Sequence, residues 1–401
     1  MTHVVVIGAG QAGSSLCAKL RNLGFEGAIT LIGEEPVPPY QRPPLSKAYL
    51  LGEMEEERLY LRPEAFYADN AITLRLGASA ANIDTLAQTL TLGGDTLSYD
   101  HLVFTTGSTP RRLPTHLGGD LKGVFTVRDL ADVDAMAPYV TQGKRALVIG
   151  GGYIGLEAAA VARKRGVDVT LVEASERILQ RVAAPETSDF FRALHESHGV
   201  TIREGVGFET FTGQDHVNGG VLTDETEIDI DFAIVGIGIT PATGAAEAAG
   251  ITIENGIETD TQGRCSAPGT WAAGDCASFP LNGAQMRLES VGNAIDQAEL
   301  VAENIMGAGK EYTPKPWFWS DQYDVKLQIA GLNIGYDRVV TRKTGDAVSH
   351  WYYLGDALLA VDAMNDPRNY MVGKRLIEAG KHPAPDIIAD PETDMKALLR
   401  A

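Results

Sequence analysis

The sequence predicts an α/β protein: two units that each build a parallel sheet around a nucleotide-binding turn, followed by a C-terminal α+β region. Three observations predict it. A strand, glycine turn, helix and second strand occur in that order twice, at residues 3–32 and 145–173. An acidic residue, Glu34 and then Glu173, closes the second strand each time. Beyond residue 316 the pattern changes to short alternating runs.

The first strand is His3-Val4-Val5-Val6-Ile7, nearly continuous and β-branched, as a parallel strand buried on both faces requires. It runs into Gly8-Ala9-Gly10-Gln11-Ala12-Gly13, and a helical pattern with Leu16, Leu20 and Leu23 leads to a second strand, Ala28–Ile32. Gly8 permits the tight turn, Gly10 lets backbone approach a pyrophosphate, and Gly13 lets helix and strand pack closely. Phosphates at such a helix start meet free N–H groups and the positive end of the helix dipole. The same events recur at Arg145–Ile149, Gly150-Gly151-Gly152-Tyr153-Ile154-Gly155, an alanine-rich helix, and the strand Asp168–Val172 ending at Glu173. One glycine motif is weak evidence, but two copies in full context are strong. Both halves therefore read as Rossmann-like dinucleotide-binding domains.

Glu34 and Glu173 are placed to accept hydrogen bonds from a ribose diol. Glu173 repels a 2′-phosphate, so the second site is expected to prefer NADH to NADPH, a preference weakened by nearby Arg177 and Arg181. Two sites imply two dinucleotides, and the economical pair is FAD plus NADH. The strand Thr270–Ala273, ending in Gly274-Asp275, supports FAD at the first site, because a carboxylate there can meet ribityl hydroxyls or a phosphate-bound water.

The bulk numbers agree. At 401 residues the chain suits two or three domains, and 44% hydrophobic with 22% charged residues is a globular composition. A net charge of −19 argues against nucleic acid or an anionic membrane as a global partner. No apolar run reaches membrane-spanning length, and the N-terminal residues read as a strand and not a signal peptide, so a cytoplasmic location is expected. Cys17, Cys265 and Cys276 show no metal spacing and no CxxC pair, and buried apolar packing is expected for all three. No metal site is expected; His195 and His198, at helical spacing, read as surface residues.

The whole chain resembles the two-dinucleotide flavoprotein superfamily that includes glutathione reductase. Within it the sequence is most similar to the oxygenase-coupled FAD-dependent ferredoxin reductases, the family of putidaredoxin reductase and the reductases of biphenyl-type dioxygenases. The most specific motif is Pro39-Tyr40-Gln41-Arg42-Pro43-Pro44-Leu45-Ser46-Lys47. Disulfide reductases carry a redox cysteine pair in this region, and NADH oxidases and peroxidases a single cysteine; here there is none. On its own Lys47 reads as a solvated lysine. The resemblance instead implies that Lys47 meets flavin N5 and O4 and pairs with Glu157, while Arg42 and Glu34 hold the adenosine half of FAD. It also implies FAD contacts from Ala80, Arg128, Asp275 and Val291 beside Gly8, Gly10, Ala12 and Gly13. The NADH contacts implied are Gly150, Gly152, Tyr153, Ile154, Gly155, Glu173 and, on the return crossing, Gly238. The first crossing is Thr105-Thr106-Gly107-Ser108, where Thr105 replaces the more usual alanine in a change expected to matter little. Trp319 is implied to lie over the isoalloxazine, as a shield and electron exit, whereas Trp317 reads as core.

The domains expected are 1–108 with 242–315 for FAD, 109–241 for NADH, and 316–401 as the C-terminal α+β domain, whose runs Lys326–Ile329, Arg338–Thr341, Ser349–Leu354 and Ala357–Val361 predict an antiparallel sheet with a terminal helix. The resemblance implies hydride transfer from NADH to FAD. Single electrons then pass to a 2Fe–2S ferredoxin serving a haem-thiolate monooxygenase or ring-hydroxylating dioxygenase. The chain is expected to be a monomer whose flavin edge is ringed by basic residues, with Arg62, Lys315, Arg338 and Lys374 as candidates. Two rival readings are an NADH oxidase or quinone reductase, and an NADH-responsive binding flavoprotein resembling apoptosis-inducing factor.

Overall fold

The computed structural model describes residues 2–400. Two compact units emerge: one holds the residues through Arg42, Glu55–Thr109 and Ile239–Pro316, the other Pro43–Met54, Pro110–Gly238 and the chain from Trp317 onward. The short stretch Pro43–Met54 thus leaves the unit that surrounds it in sequence and packs with the second.

In the first unit a five-stranded sheet runs in the order Thr270–Ala272, His101–Phe104, His3–Ile7, Ala28–Ile32 and Ile72–Arg75, all parallel. The central strand is buried on both faces, with Val4, Val5 and Val6 fully inaccessible, which is why its sequence is continuously apolar. Val4 and Val6 pack with Leu16 and Leu20 of the helix Gln11–Asn22 and with Ala298 and Val301 of the helix Val291–Ile305. Val5 and Ile7 face the other way, against Leu90, Leu92 and Ala246. Burying each such valine or leucine stabilises by about 1.5–3 kcal/mol.

The second unit repeats the device. Its parallel sheet runs Thr201–Glu204, Asp168–Glu173, Arg145–Ile149, Phe232–Val235 and Val124–Phe125, with Arg145–Ile149 central. The helix Tyr153–Lys164 buries Ala158, Ala159, Ala160 and Ala162, whose small side chains let it lie close to the sheet. The same unit carries the expected antiparallel sheet, ordered Trp317–Gln322, Val325–Gly331, Ala357–Met364, Ala347–Leu354 and Arg338–Thr344. The helix Pro367–Glu378 follows, its first turn capped by the Asp366 carboxylate accepting from the Asn369 amide.

Two expectations need correction. His195 is fully buried, because Thr187, Ser188, Phe191 and His195 recur at three- and four-residue spacing and form the inner stripe of the helix Pro185–Ser197; only His198 is exposed. Cys265 is only half-buried, unlike Cys17 and Cys276. Among the described residues no helix is long and apolar enough to cross a membrane, and no group of three metal-ligating side chains assembles.

Candidate dinucleotide and redox sites

The first glycine turn is locked by its neighbours. Gly8 has φ +116°, and a Cβ there would lie 2.2 Å from the Thr105 carbonyl oxygen. A Cβ on Gly13 would lie 2.2 Å from the Gly8 carbonyl oxygen. Gly10 is different: it is extended, caps the helix without a side chain, and a Cβ there would meet no protein atom within 4 Å. The open space lies where helix-start amides face outward, a cradle fitted to a pyrophosphate. Thr105 does more than substitute for alanine, since its buried hydroxyl donates to the Gly8 carbonyl at 2.8 Å and clamps the turn.

Asp275 and Val291 lie on elements that pack beside that turn's helix. A Cβ on Gly274 would sit 3.1 Å from Ala12 Cβ and 3.7 Å from Ala294 Cβ, so the Gly274-Asp275 bend is wedged between the glycine-motif helix and the helix begun by Val291. Ser108 donates to Asp275 at 3.1 Å, and Gly274 N–H donates to Gln297 Oε1 at 2.9 Å. The Nε2 of Gln297, a residue 1% exposed, has no partner among the described residues, an orphaned donor that suits a polar cofactor or its water. Glu34 accepts from Ser79 at 3.1 Å, next to Ala80. Arg42 pairs with Glu35 at 2.5 Å, and Tyr40 donates to the same carboxylate at 2.5 Å, a triad that sequence reading missed.

The second unit holds the equivalent turn. Gly150 has φ +105° and a would-be Cβ 2.3 Å from the Gly236 carbonyl oxygen, while a Cβ on Gly155 would lie 2.1 Å from that of Gly150. Gly152, like Gly10, faces open space. Glu173 accepts from the amides of Gly151 at 2.7 Å and Ser175 at 2.8 Å, so its carboxylate is oriented before any ribose arrives. Arg177 is committed elsewhere, donating to the Ser188 hydroxyl and the carbonyls of Gln180 and Ala183. Arg181 is exposed, with a guanidinium nitrogen 3.8 Å from a Cβ placed on Gly238. Ile154 is 46% exposed at the helix start, and Tyr153 packs on Phe318 at 5.0 Å with its hydroxyl buried and unpartnered among the described residues. The amide of Arg128 donates to Asp132 at 3.0 Å, just before the helix Leu130–Met136.

Lys47 and Glu157 meet in this unit. Lys47 Nζ lies 2.7 Å from Glu157 Oε2, with the two side chains 18% and 2% exposed. Ser46 donates to the same oxygen at 2.8 Å, and Ser320 to Oε1 at 2.7 Å. A buried carboxylate survives only when paired and hydrogen-bonded, and this one has a cation and two hydroxyls. Trp319 and Trp317 stack at 5.4 Å on the opposite face of the strand from Ser320, both half-exposed, so Trp317 is not the core residue expected. All three cysteines belong to the first unit, and burial pushes the Cys17 thiol up to about 12.

A family described as pyridine nucleotide-disulphide oxidoreductase matches residues 2–298, and one described as reductase C-terminal matches 317–399. The chain belongs to the pyridine nucleotide-disulphide oxidoreductase family. It is 41% identical to rhodocoxin reductase of Rhodococcus erythropolis over 402 residues, 99% of this chain and 94% of that one. It is 39% identical to putidaredoxin reductase of Pseudomonas putida, covering 100% and 97% of the two chains. Among solved structures, the covalent putidaredoxin reductase–putidaredoxin complex superimposes with TM-score 0.96 at 38% identity, covering 100% of this chain and 98% of that one. This member of the family is an oxidoreductase whose cofactors are FAD and a nicotinamide dinucleotide, and its fold is the two-dinucleotide fold with a reductase C-terminal sheet.

Proposed function

We propose that the chain is an NADH:ferredoxin reductase in which residues 1–108 and 242–315 hold FAD, 109–241 hold NADH, and 316–401 form the C-terminal domain. One observation carries the reading. The segment that bears redox cysteines in disulfide reductases here ends in Lys47, fixed on a buried glutamate, so no protein thiol stands ready to take the electrons. FAD, when bound, supplies a hydride acceptor that can release electrons singly.

The residues have separable tasks. Gly8, Gly10, Ala12 and Gly13 bind pyrophosphate by backbone, and Glu34, Arg42 and Ala80 take the adenosine end. Asp275, Val291 and Arg128 hold the rest of FAD. Gly150, Gly152 and Gly155 repeat the backbone grip for NADH, with Glu173 on the ribose. Tyr153, Ile154 and Gly238 line the nicotinamide end. Lys47, with Glu157, offers a positive charge to flavin N5 and O4, and Trp319 shields the ring. The partner is a 2Fe–2S ferredoxin, as the names of putidaredoxin reductase and of a ferredoxin reductase of Sphingomonas suggest for those relatives. Basic side chains at the flavin edge receive it, the candidates being Arg62 and Lys315 of the first unit and Arg338 and Lys374 of the second. The chain acts as a cytoplasmic monomer.

Anaerobic stopped-flow tests this reading. NADH is expected to bleach the yellow protein rapidly, and an oxidised 2Fe–2S ferredoxin to restore the colour, the second step slowing as salt rises. Bleaching with reoxidation by quinone or oxygen alone would favour a small-molecule oxidase. A protein that takes up no FAD would end the proposal.

A further inference from the structure

The strand Trp317–Gln322 carries the tryptophan pair on one face, but on the other face, beyond Phe318, it places Ser320 and Gln322 where a core strand should be apolar. Ser320 and Gln322 are both fully inaccessible, as is His195 opposite them. They form a single file of hydrogen bonds. Ser320 donates to Glu157 Oε1 at 2.7 Å, Gln322 Nε2 donates to Ser320 Oγ at 3.1 Å, and His195 Nε2 lies 2.8 Å from Gln322 Oε1. Tyr323 Oη lies 3.3 Å from the remaining nitrogen, His195 Nδ1.

The chemistry gives the file one direction. Glu157 as a carboxylate only accepts, so the Ser320 hydroxyl must donate to it. The Ser320 oxygen is then free to accept, which turns the Gln322 amide so that Nε2 faces it and Oε1 faces His195. Oε1 only accepts, so His195 must carry its proton on Nε2, leaving Nδ1 to accept from the Tyr323 hydroxyl. Burial pushes the His195 pKa down to about 4, so the ring stays neutral and this tautomer holds in ordinary buffers. If the amide flipped, Oε1 would compete for the Ser320 proton and Glu157 Oε1 would lose its donor.

A second feature points the same way. Tyr323 sits in the two-residue turn between paired Gln322 and Val325 with φ +56°, a conformation that glycine adopts freely and a bulky side chain does not. That backbone stacks the Tyr323 ring on His198 at 3.7 Å and brings its hydroxyl to His195. Strain kept in a turn where a glycine would be comfortable is expected where the side chain has a task.

We propose that Ser320 and Gln322 are positioning residues for the Lys47–Glu157 pair, with His195 and Tyr323 fixing the polarity of the hydrogen bonds that reach it. With Oε1 occupied by Ser320, the carboxylate presents Oε2 to Lys47 and Ser46, and the ammonium is held in one place and not shared between two oxygens. The proposal rests on the reading that Lys47 serves the flavin. An ammonium beside flavin N5 and O4 favours electron-rich flavin, so loosening it is expected to lower the flavin's reduction potential.

The experiment compares FAD-loaded parent, K47M, S320A, S320T and Q322L by anaerobic dye-equilibrated titration, with NADH-driven bleaching read alongside. K47M is expected to shift the flavin equilibrium at least tenfold towards the oxidised form, about 30 mV for a two-electron couple. S320A and Q322L are expected to reproduce half or more of that shift in millivolts, and to slow bleaching roughly tenfold at unchanged apparent NADH affinity. S320T, which keeps the hydroxyl, stays within twofold of the parent. A K47M shift with parental potentials in S320A and Q322L would overturn the positioning role while leaving Lys47 at the flavin. A parental potential in K47M would overturn both. Should S320A fail to fold, Q322L decides by the same criterion.

Discussion

Replacing Lys47 by methionine removes the cation from a carboxylate that is 2% exposed. At the 2.7 Å separation the gross attraction is about 6 kcal/mol with an effective dielectric near 20, a figure that desolvation reduces. Breaking one side of a buried pair typically costs about 3–5 kcal/mol, because the surviving charge stays buried. Glu157 keeps the Ser46 and Ser320 hydroxyls, so K47M should fall at the low end, near 3 kcal/mol. E157Q should be milder, since Lys47 is 18% exposed and can turn towards water. The double variant K47M/E157Q removes both charges and is expected to lose no more than the worse single variant, giving a coupling energy of about 2–3 kcal/mol. Urea unfolding in excess FAD, followed by tryptophan emission, suits the assay, because Trp317, Trp319 and Trp351 report from the same unit as the pair and only Trp271 does not. Additive losses, to within about 0.5 kcal/mol, would refute the claim that the pair is a coupled buried unit.

The remaining predictions follow from single sites. G10A should fold like the parent, since its Cβ meets no protein atom, yet lose FAD at least tenfold; G8A, at φ +116° with a Cβ 2.2 Å from the Thr105 oxygen, should lose stability first. Full FAD content in purified G10A, read as the flavin-to-protein absorbance ratio, would contradict the cradle. E173Q should raise the NADPH-to-NADH ratio of kcat/KM roughly tenfold by removing a charge opposed to a 2′-phosphate. R177A should leave that ratio unchanged and lower the melting temperature, because its guanidinium holds Ser188 and two carbonyls. For pH, burial pushes His195 and His350 down to about 4 and Asp362 up to about 6. Between pH 4 and 6 the unfolded histidines hold protons that the folded ones lack, so their contribution grows as pH rises and is lost as pH falls. Folded Asp362 keeps a proton that its unfolded form releases, so its contribution declines as pH rises. D362N should therefore steepen the rise of stability with pH by up to about 1.4 kcal/mol per unit, and an unchanged slope would refute the assignment.

What the sequence revealed and what it hid divide along a physical line. The two glycine turns were legible because their requirements are local: a positive φ at Gly8 and Gly150, and a close carbonyl at Gly13 and Gly155, can be met by one residue type. The role of Lys47 was not, because Pro43–Met54 packs with a unit whose other residues begin at Pro110, and no periodicity encodes that. Only resemblance suggested it. Arg42 shows a finer limit, since the sequence singled out Glu34 beside it and only the fold shows its carboxylate partner to be Glu35. His195 is a different case, for its signal was present. The helix Pro185–Ser197 places it four residues from Phe191 on the buried stripe, and a histidine on such a stripe must find partners. Its partner was equally within reach: strand alternation puts Phe318, Ser320 and Gln322 on one face and both tryptophans on the other. Reading the tryptophans alone hid the fact that Ser320 and Gln322, beyond Phe318 on the other face, are polar and therefore, if buried, obliged to bond. A buried strand face with a serine and a glutamine beside a helix bearing a histidine has few ways to satisfy its donors, and the way taken here ends on the oxygen atom opposite Lys47.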